Sequence, residues 1–249
     1  MTEPLYHHDS YIREFQAQVV ETLDKGVVLD RSAFYPGGGG QPSDTGVLRA
    51  ADGEYRVSKI SRKDGKEIHE IEGNPPPAGT QVTGEVDWDR RYKLMRTHTA
   101  LHILCGVVWR DYGAQVTGGD LQPLRARMDF ELENMSVNFA REVEEKINAE
   151  VAASRPITTQ FLPRDEAMRI PDLIRTKINL LPPAIKQVRI VDVTGLDLQA
   201  DGGTHVATTN EVGRITVVGH ESKGRINKRL RIEVEEQPAC RVREMLLWF

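Results

Sequence analysis

Two short histidine motifs constrain this chain more than any other feature. The first is His98-Thr-Ala-Leu-His102 and the second Asp201-Gly-Gly-Thr-His205, about a hundred residues further on. Each sets two metal-competent side chains four positions apart. Together they offer three imidazoles and a carboxylate, a full tetrahedral ligand set for one zinc ion. A fold that uses this set must carry the chain from residue 102 back to the same point by residue 201.

The first motif reads as part of a long helix. Asp87 is a candidate N-cap, no proline interrupts Trp88 to Tyr112, and Gly113 is a candidate C′ residue. Leu94, Leu101, Val108 and Tyr112 keep helical spacing. On a helix, positions i and i+4 lie one above the other, so His98 and His102 can reach one ion. The pair alone is equally well two buried histidines. A metalloprotease helix would carry a glutamate after the first histidine, where this chain has Thr99. Cys105 stands seven residues beyond His98, a rise of about 10.5 Å. That is too far to share an ion, and Cys105 reads as a small core residue. The second motif follows the alternating stretch Leu196-Asp-Leu-Gln-Ala200. Its paired glycines permit a tight turn that converges Asp201 and His205, although a turn with a solvent-facing aspartate has the same pattern.

Around these motifs the pattern divides in two. The first ninety or so residues hold short apolar runs: Tyr11–Leu23, Gly26–Leu29, Gly46–Leu48, Tyr55–Ile60 and Glu67–Ile71, with glycine and proline clusters between them. Such spacing predicts a small β-barrel. After Asp87 the long helix is followed by a second one from Ser136, with Phe139, Val143, Ile147 and Val151 at steps of four. Strands return at Ile157–Phe161, Val188–Val193, Arg214–Val218 and Arg229–Val234. The expectation is an α+β fold. An N-terminal barrel domain covers residues 1–88, and a metal-binding domain covers 89–249, with long helices packed on an antiparallel sheet.

The barrel carries the second anomaly, Phe34-Tyr-Pro-Gly-Gly-Gly-Gly-Gln-Pro-Ser-Asp44. Ordering four consecutive glycines is entropically costly, so Gly37, Gly38, Gly39 and Gly40 imply close approach of backbone to a ligand or another domain. No Gly-Lys-Ser/Thr follows, which excludes a P-loop. Ser32 and Gln41 beside the loop are uncharged hydrogen-bonding groups suited to a small polar substrate.

Composition sets the outer bounds. The net charge of −4 excludes a global basic field, so a polyanion would meet local clusters. Lys223, Arg225, Lys228, Arg229 and Arg231 place five cations within nine residues, and Arg90, Arg91, Lys93 and Arg96 precede the histidine pair. Either cluster is a solvated face or a set of phosphate contacts. The apolar stretch Leu101–Trp109 is far short of a membrane span. The first residues lack a secretory leader's pattern, and two cysteines, Cys105 and Cys240, do not make a disulfide framework. A cytoplasmic location without membrane contact is expected.

Taken together, the Tyr-Pro-Gly-rich-Gln-Pro-x-Asp loop, His-x-x-x-His and x-Gly-Gly-Thr-His resemble the editing domain of alanyl-tRNA synthetase. The similarity is closest to the freestanding alanyl-tRNA editing proteins, AlaX, of medium length. It extends to Leu29–Phe34, Val116-Thr-Gly-Gly119 and Glu221–Gly224. The resemblance implies an editing-type second domain and hydrolysis of the ester that joins serine, or glycine, to the terminal adenosine of alanine tRNA. It implies one zinc per chain on His98, His102 and His205, with Asp201 at a position where the family pattern has cysteine. Aspartate is a legitimate but harder zinc ligand. The resemblance further implies Gln41 and Ser32 at the reacting centre, and Gly37–Gly40 with Thr117 against the substrate. Arg90, Arg91, Lys223, Arg225, Lys228 and Arg229 would lie along the tRNA. No aminoacylation region fits beside these elements, so editing would be in trans. Two other readings stay open: a metal-dependent deacylase of another aminoacyl-tRNA or ester, and a non-catalytic RNA-binding module with a structural zinc.

Overall fold

Alternation of apolar and polar residues in the N-terminal strands closes a barrel. In a computed structural model, which describes residues 2–133, 136–178 and 181–236, the chain begins with β1 (Glu3–Pro4) and a short 3₁₀ turn, Leu5–His7. Then come β2 (Glu14–Leu23), β3 (Gly26–Leu29), β4 (Arg31–Ser32), β5 (Gly46–Ala50), β6 (Gly53–Lys63), β7 (Lys66–Ile71) and β8 (Gln81–Val86). The closed order is β2-β3-β7-β6-β5-β8, with antiparallel neighbours. Strand β2 shows the period of two: Phe15, Ala17 and Val19 are buried while Glu14, Gln16 and Gln18 are exposed. They join Leu29, Phe34, Leu48, Ile60 and Val82 in the barrel core. β4 leaves the barrel and pairs in parallel with β1.

Helix α1 (Trp88–Tyr112) has the limits its caps dictate. The Asp87 carboxylate accepts from the Arg90 N–H, and Gly113 takes the left-handed conformation at φ 63°. It is followed by β9 (Val116–Gln122), β10 (Arg125–Glu131), α2 (Val137–Ala152, N-capped by Ser136), β11 (Ile157–Pro163) and α3 (Arg164–Ala167). The last strands are β12 (Gln187–Val193), β13 (Asp197–Ala200), β14 (Ile215–Ser222) and β15 (Asn227–Val234). α1 is buried through most of its length and packs on α2 and on strands of two sheets.

The fold is α+β, and the small β-barrel that the sequence predicts is closed and six-stranded. The reading of the second part needs extension. Two antiparallel sheets are present, β14-β15-β10-β9 and β11-β12-β13. β9, like β8 in the barrel, was not legible, because Val116-Thr-Gly-Gly-Asp and Thr83-Gly84 dilute the strand pattern with glycine, while β10 was missed although Arg125-Ala-Arg-Met-Asp-Phe-Glu131 alternates charged and apolar residues. Cys240 and the end of the expected second domain lie outside the described residues. No helix among them is long and apolar enough to cross a membrane.

A candidate metal centre under a glycine loop

The hairpin of β12 and β13 returns the chain to α1. Its register pairs Val191 with Gln199 and Ile190 with Ala200, which brings Asp201 off the strand end directly beside the helix. The Gly-Gly turn then passes over His98. A Cβ on Gly203 would stand 2.2 Å from His98 Cε1, so only glycine permits this approach. As a result His98, His102, Asp201 and His205 each offer a ligand atom within 4.8 Å of all the others.

The second-nitrogen contacts decide which atoms face inward. His98 Nδ1 lies 2.9 Å from Gln41 Oε1, His102 Nδ1 2.9 Å from Asp197 Oδ2, and His205 Nδ1 3.2 Å from Thr99 Oγ1. Every Nδ1 is therefore engaged by a neighbour, which leaves the three Nε2 lone pairs for a common ligand. The Asp201 carboxylate closes the set, with Oδ2 3.0 Å from His205 Nε2 and Oδ1 3.6 Å from His98 Nε2. Arg189, itself buried, donates from Nη1 to the carbonyls of Asp201 (3.0 Å) and Gly203 (2.9 Å), which fixes the turn.

Charge states agree with a cation site. Burial lowers the His98 imidazole to about pH 4 and takes His205 well below its ordinary range. At His102 burial acts the same way, but the hydrogen bond and charge of Asp197 outweigh it and raise the value. Burial raises Asp201, yet His98, His205 and His102 hold it well below the usual carboxylate range. The neutral imidazoles of His98 and His205 beside an ionised Asp201 are the forms a metal requires, whereas His102 would have to give up the proton that Asp197 favours. The residues present fit a metal ion.

The four glycines become intelligible from the backbone. Gly37, Gly38, Gly39 and Gly40 all have positive φ, at 88°, 136°, 57° and 87°, a run that no L side chains would tolerate. Gly38 and Gln41 exchange backbone hydrogen bonds of 3.0 and 2.9 Å, and Gly40 accepts from Leu121 N–H of β9 at 3.3 Å. The loop thus extends from the barrel over the metal ligands. Gly37–Gly39, Thr117, His98, His102 and Asp201 line one cavity of about 790 Å³.

Other predicted residues are placed differently. Gln41 is buried with its amide consumed: Oε1 also accepts from Thr204 N–H, and Nε2 donates to Thr204 Oγ1 at 2.8 Å. It orients His98 and does not line the cavity. Ser32 is fully buried, bonds His69 Nε2 at 2.8 Å, and lies outside the cavity wall. Gly40 packs on β9. Thr117 does reach the cavity, with Oγ1 on Asn227 Oδ1 at 2.9 Å.

The cations also separate. Arg91 is 0% exposed and clamped on Asp44 and on the Ser10 and Ala33 carbonyls, so it is out of reach of RNA. Buried Lys228 donates to Ser222 Oγ, Gly224 O and Arg225 O, and Arg229 forms a fork on Asp129 at 2.7 and 2.8 Å. Lys223 and Arg225 are exposed, and Arg90 is half-buried with Nη2 on Ser43 O.

Sequence reasoning missed Asp197, Arg189, Thr99 and Thr204. A signal existed for Asp197, because aspartate is depleted in strands and here interrupts the apolar run before the second motif. None existed for Arg189, whose role depends on a turn formed elsewhere.

Comparison with known proteins identifies related chains. Residues 8–90 match the family of class II (A) tRNA synthetases, and residues 188–231 match the threonyl and alanyl tRNA synthetase second additional domain. The chain is 42% identical over 235 residues to the alanyl-tRNA editing protein AlaX-M of Saccharolobus solfataricus, covering 92% of this chain and 98% of that protein. To AlaX-M of Methanosarcina barkeri it is 41% identical, with the same shares covered. It is also 37% identical to the alanine–tRNA ligase of Pyrobaculum neutrophilum over 87% of this chain but 25% of that enzyme. By identity and coverage, the chain belongs to the alanyl-tRNA editing proteins of the AlaX-M type.

Proposed function

We propose that the chain is an aminoacyl-tRNA hydrolase that edits in trans. It cleaves the ester that joins serine, and also glycine, to alanine tRNA, and spares the correctly charged alanyl ester. The observation that carries this reading is the single cavity in which a metal-competent cluster and the glycine loop share one wall. AlaX-M relatives, alanyl-tRNA editing proteins matched over 98% of their length, support the editing activity. The same reading divides the chain at residues 88 and 89, into a barrel that supplies the loop and a second body that supplies the ligands.

One zinc held by His98, His102, Asp201 and His205 would supply positive charge to polarise an ester carbonyl or its attacking water. The protein's own groups do the rest. Gln41, Asp197 and Thr99 hold the imidazoles in one orientation, and Arg189 holds the turn that carries Asp201. Asp201 is the one carboxylate among the described cavity-lining residues, and the imidazoles occupy it. No free carboxylate base therefore faces the substrate. Burial pushes the Cys105 thiol well up, so it stays protonated and is no nucleophile. Thr117 and the backbone of Gly37–Gly39 are the polar groups that can meet a serine hydroxyl, in place of Ser32 and Gln41. A site that bonds a hydroxyl rejects the analogue lacking it by up to about 10⁴–10⁵. Lys223, Arg225 and Arg90 are the cations left for phosphates.

The test is incubation with Ser-, Gly- and Ala-charged alanine tRNA, with and without chelator. Release of serine but not alanine, abolished by chelation and restored by zinc, is expected. A protein that binds tRNA and zinc without turnover would leave a structural-zinc RNA module as the function.

A further inference from the structure

The support of the metal ligands extends one residue further than their direct partners. Asp197, at the start of β13, has its side chain fully buried. Its Oδ2 lies 2.9 Å from His102 Nδ1 and accepts from Gln199 Nε2 at 2.6 Å. Its Oδ1 is buried without a hydrogen-bond partner among the described residues. A carboxylate held by one oxygen is poorly fixed, because the torsion about its Cβ–Cγ bond has a broad minimum. A buried charge also needs an opposite charge close by. Arg175 meets both needs. Its Nε lies 3.7 Å from Asp197 Oδ1, and its own Nε and Nη1 are buried without a hydrogen-bond partner among the described residues.

The backbone delivers Arg175 to this point from two sheets. Leu173 O accepts from Ala200 N–H, at the end of β13, at 3.2 Å. Arg175 O accepts from Val116 N–H of β9 at 2.9 Å, and Lys177 N–H donates to Val116 O at 2.9 Å. β13 and β9 are edge strands of different sheets, so the segment 173–177 stitches one sheet to the other. The guanidinium lies over the Trp109 ring, 4.6 Å from its centroid, on the helix that carries His102. Such a cation–ring contact strengthens as water is removed, and the Arg175 side chain is only 11% exposed. Packing on Trp109 alone would be served by an apolar side chain. Buried guanidinium nitrogens without a hydrogen bond are tolerable only beside a charge of opposite sign.

We propose that Arg175 is a positioning residue of the metal centre. It fixes the plane of the Asp197 carboxylate, and Asp197 in turn holds the His102 ring with Nε2 toward the other three ligands. Leu173, Arg175 and Lys177 also line the cavity, so the same segment ties the cavity wall to a metal ligand. The inference rests on the reading of His98, His102, Asp201 and His205 as a metal centre. It adds to that centre a residue outside its ligands and their direct partners.

The experiment uses the full chain with zinc alone and cobalt(II) alone as probes. Arg175→Met removes the charge and the donors but keeps an apolar stem on Trp109. It should weaken zinc about 3- to 10-fold in chelator competition, below the roughly 10- to 100-fold effect of a ligand's direct partner. Arg175→Lys, which keeps the charge, should recover part of the loss. In cobalt-loaded Arg175→Met the visible ligand-field bands should shift at saturating metal, which a loss of stability alone would not cause. The route through Asp197 is tested in the Asp197→Asn background. There Arg175→Met should cause no further loss of zinc affinity, a comparison that stands even if the single Arg175 variant folds poorly. Parental zinc affinity and cobalt spectrum in folded Arg175→Met, or additive losses in the double variant, overturn the role of Arg175 and leave the metal centre in place. A parent that binds neither metal overturns the centre together with it. Arg175-dependent zinc binding in a chain that deacylates no aminoacyl-tRNA keeps the role and overturns the editing reading.

Discussion

At the scale of single residues, the candidate centre depends on side chains that are not themselves ligands. Asp197 is 2% exposed and fixes His102 through Nδ1. Gln199 Nε2 donates to the same carboxylate oxygen at 2.6 Å. The other oxygen, Oδ1, is buried without a hydrogen bond, and so are Nε and Nη1 of Arg175, with Arg175 Nε 3.7 Å away. Removing the Asp197 charge should loosen the ring and lower its basicity. Asp197→Asn is expected to weaken zinc about 10- to 100-fold, the usual cost of losing such an outer partner, as measured by chelator competition. Unchanged affinity would mean that His102 needs no orienting carboxylate. At Asp201 the sequence identified the residue type and the structure supplied its geometry. Asp201→Cys should keep or strengthen zinc binding, because thiolate is the softer ligand. A folded variant without metal would place Asp201 outside the coordination sphere.

At the scale of elements, α1 was legible to the residue because both its caps are local chemistry: an Asp87 carboxylate on an early N–H and a left-handed Gly113. The barrel was legible as a class but not strand by strand. Its interior contains a feature that no pattern shows, the buried pair of Ser32 and His69. Ser32 Oγ donates to His69 Nε2, and His69 Nδ1 donates to Val27 O at 3.4 Å. Burial lowers His69 from 6.5 to about 4. The folded state therefore binds fewer protons than the unfolded one between these values. Its contribution is full above about pH 6.5 and is lost as pH falls toward 4, a change of about 3 kcal/mol. Urea unfolding of parent and His69→Asn across this window should show a steeper acid loss in the parent. Parallel pH profiles would mean that His69 protonates without penalty.

At the scale of the molecule, the barrel and α1 are joined by one buried cation. Arg91 of the first helical turn donates from Nε to Asp44, at 2.9 Å to Oδ2, and from Nη1 to Ser10 O at 2.9 Å. Asp44 also accepts from Tyr35 N–H at 2.6 Å, at the root of the glycine loop. The pair therefore ties the loop to the helix that bears His98 and His102. Arg91→Met should destabilise the chain by about 3–5 kcal/mol, because it leaves Asp44 buried and unpaired. Arg91→Met with Asp44→Leu should recover most of that loss in chemical denaturation. A single variant as stable as the parent would mean that the loop and helix are held by packing alone.

The sequence by itself determined what is local. The i,i+4 histidine spacing, the caps of α1, the Gly-Gly turn and the four-glycine run are each set by neighbours a few residues apart, and short-range sterics and hydrogen bonding suffice to read them. Tertiary structure decided which polar side chains share a partner. Arg91 and Lys228 had the same appearance as exposed cations in the sequence, yet both are buried and bonded internally. Gln41 and Ser32 had the same appearance as substrate-facing groups, yet one orients His98 and the other lies in the barrel core. The physical reason is that a buried polar group must find a partner; for Ser32, Arg91 and Gln41 partners are supplied by chain 37 to 163 positions away, whereas Lys228 finds its own within six residues, in the turn between β14 and β15. Long-range pairing of this kind leaves no periodicity in the residues that make it.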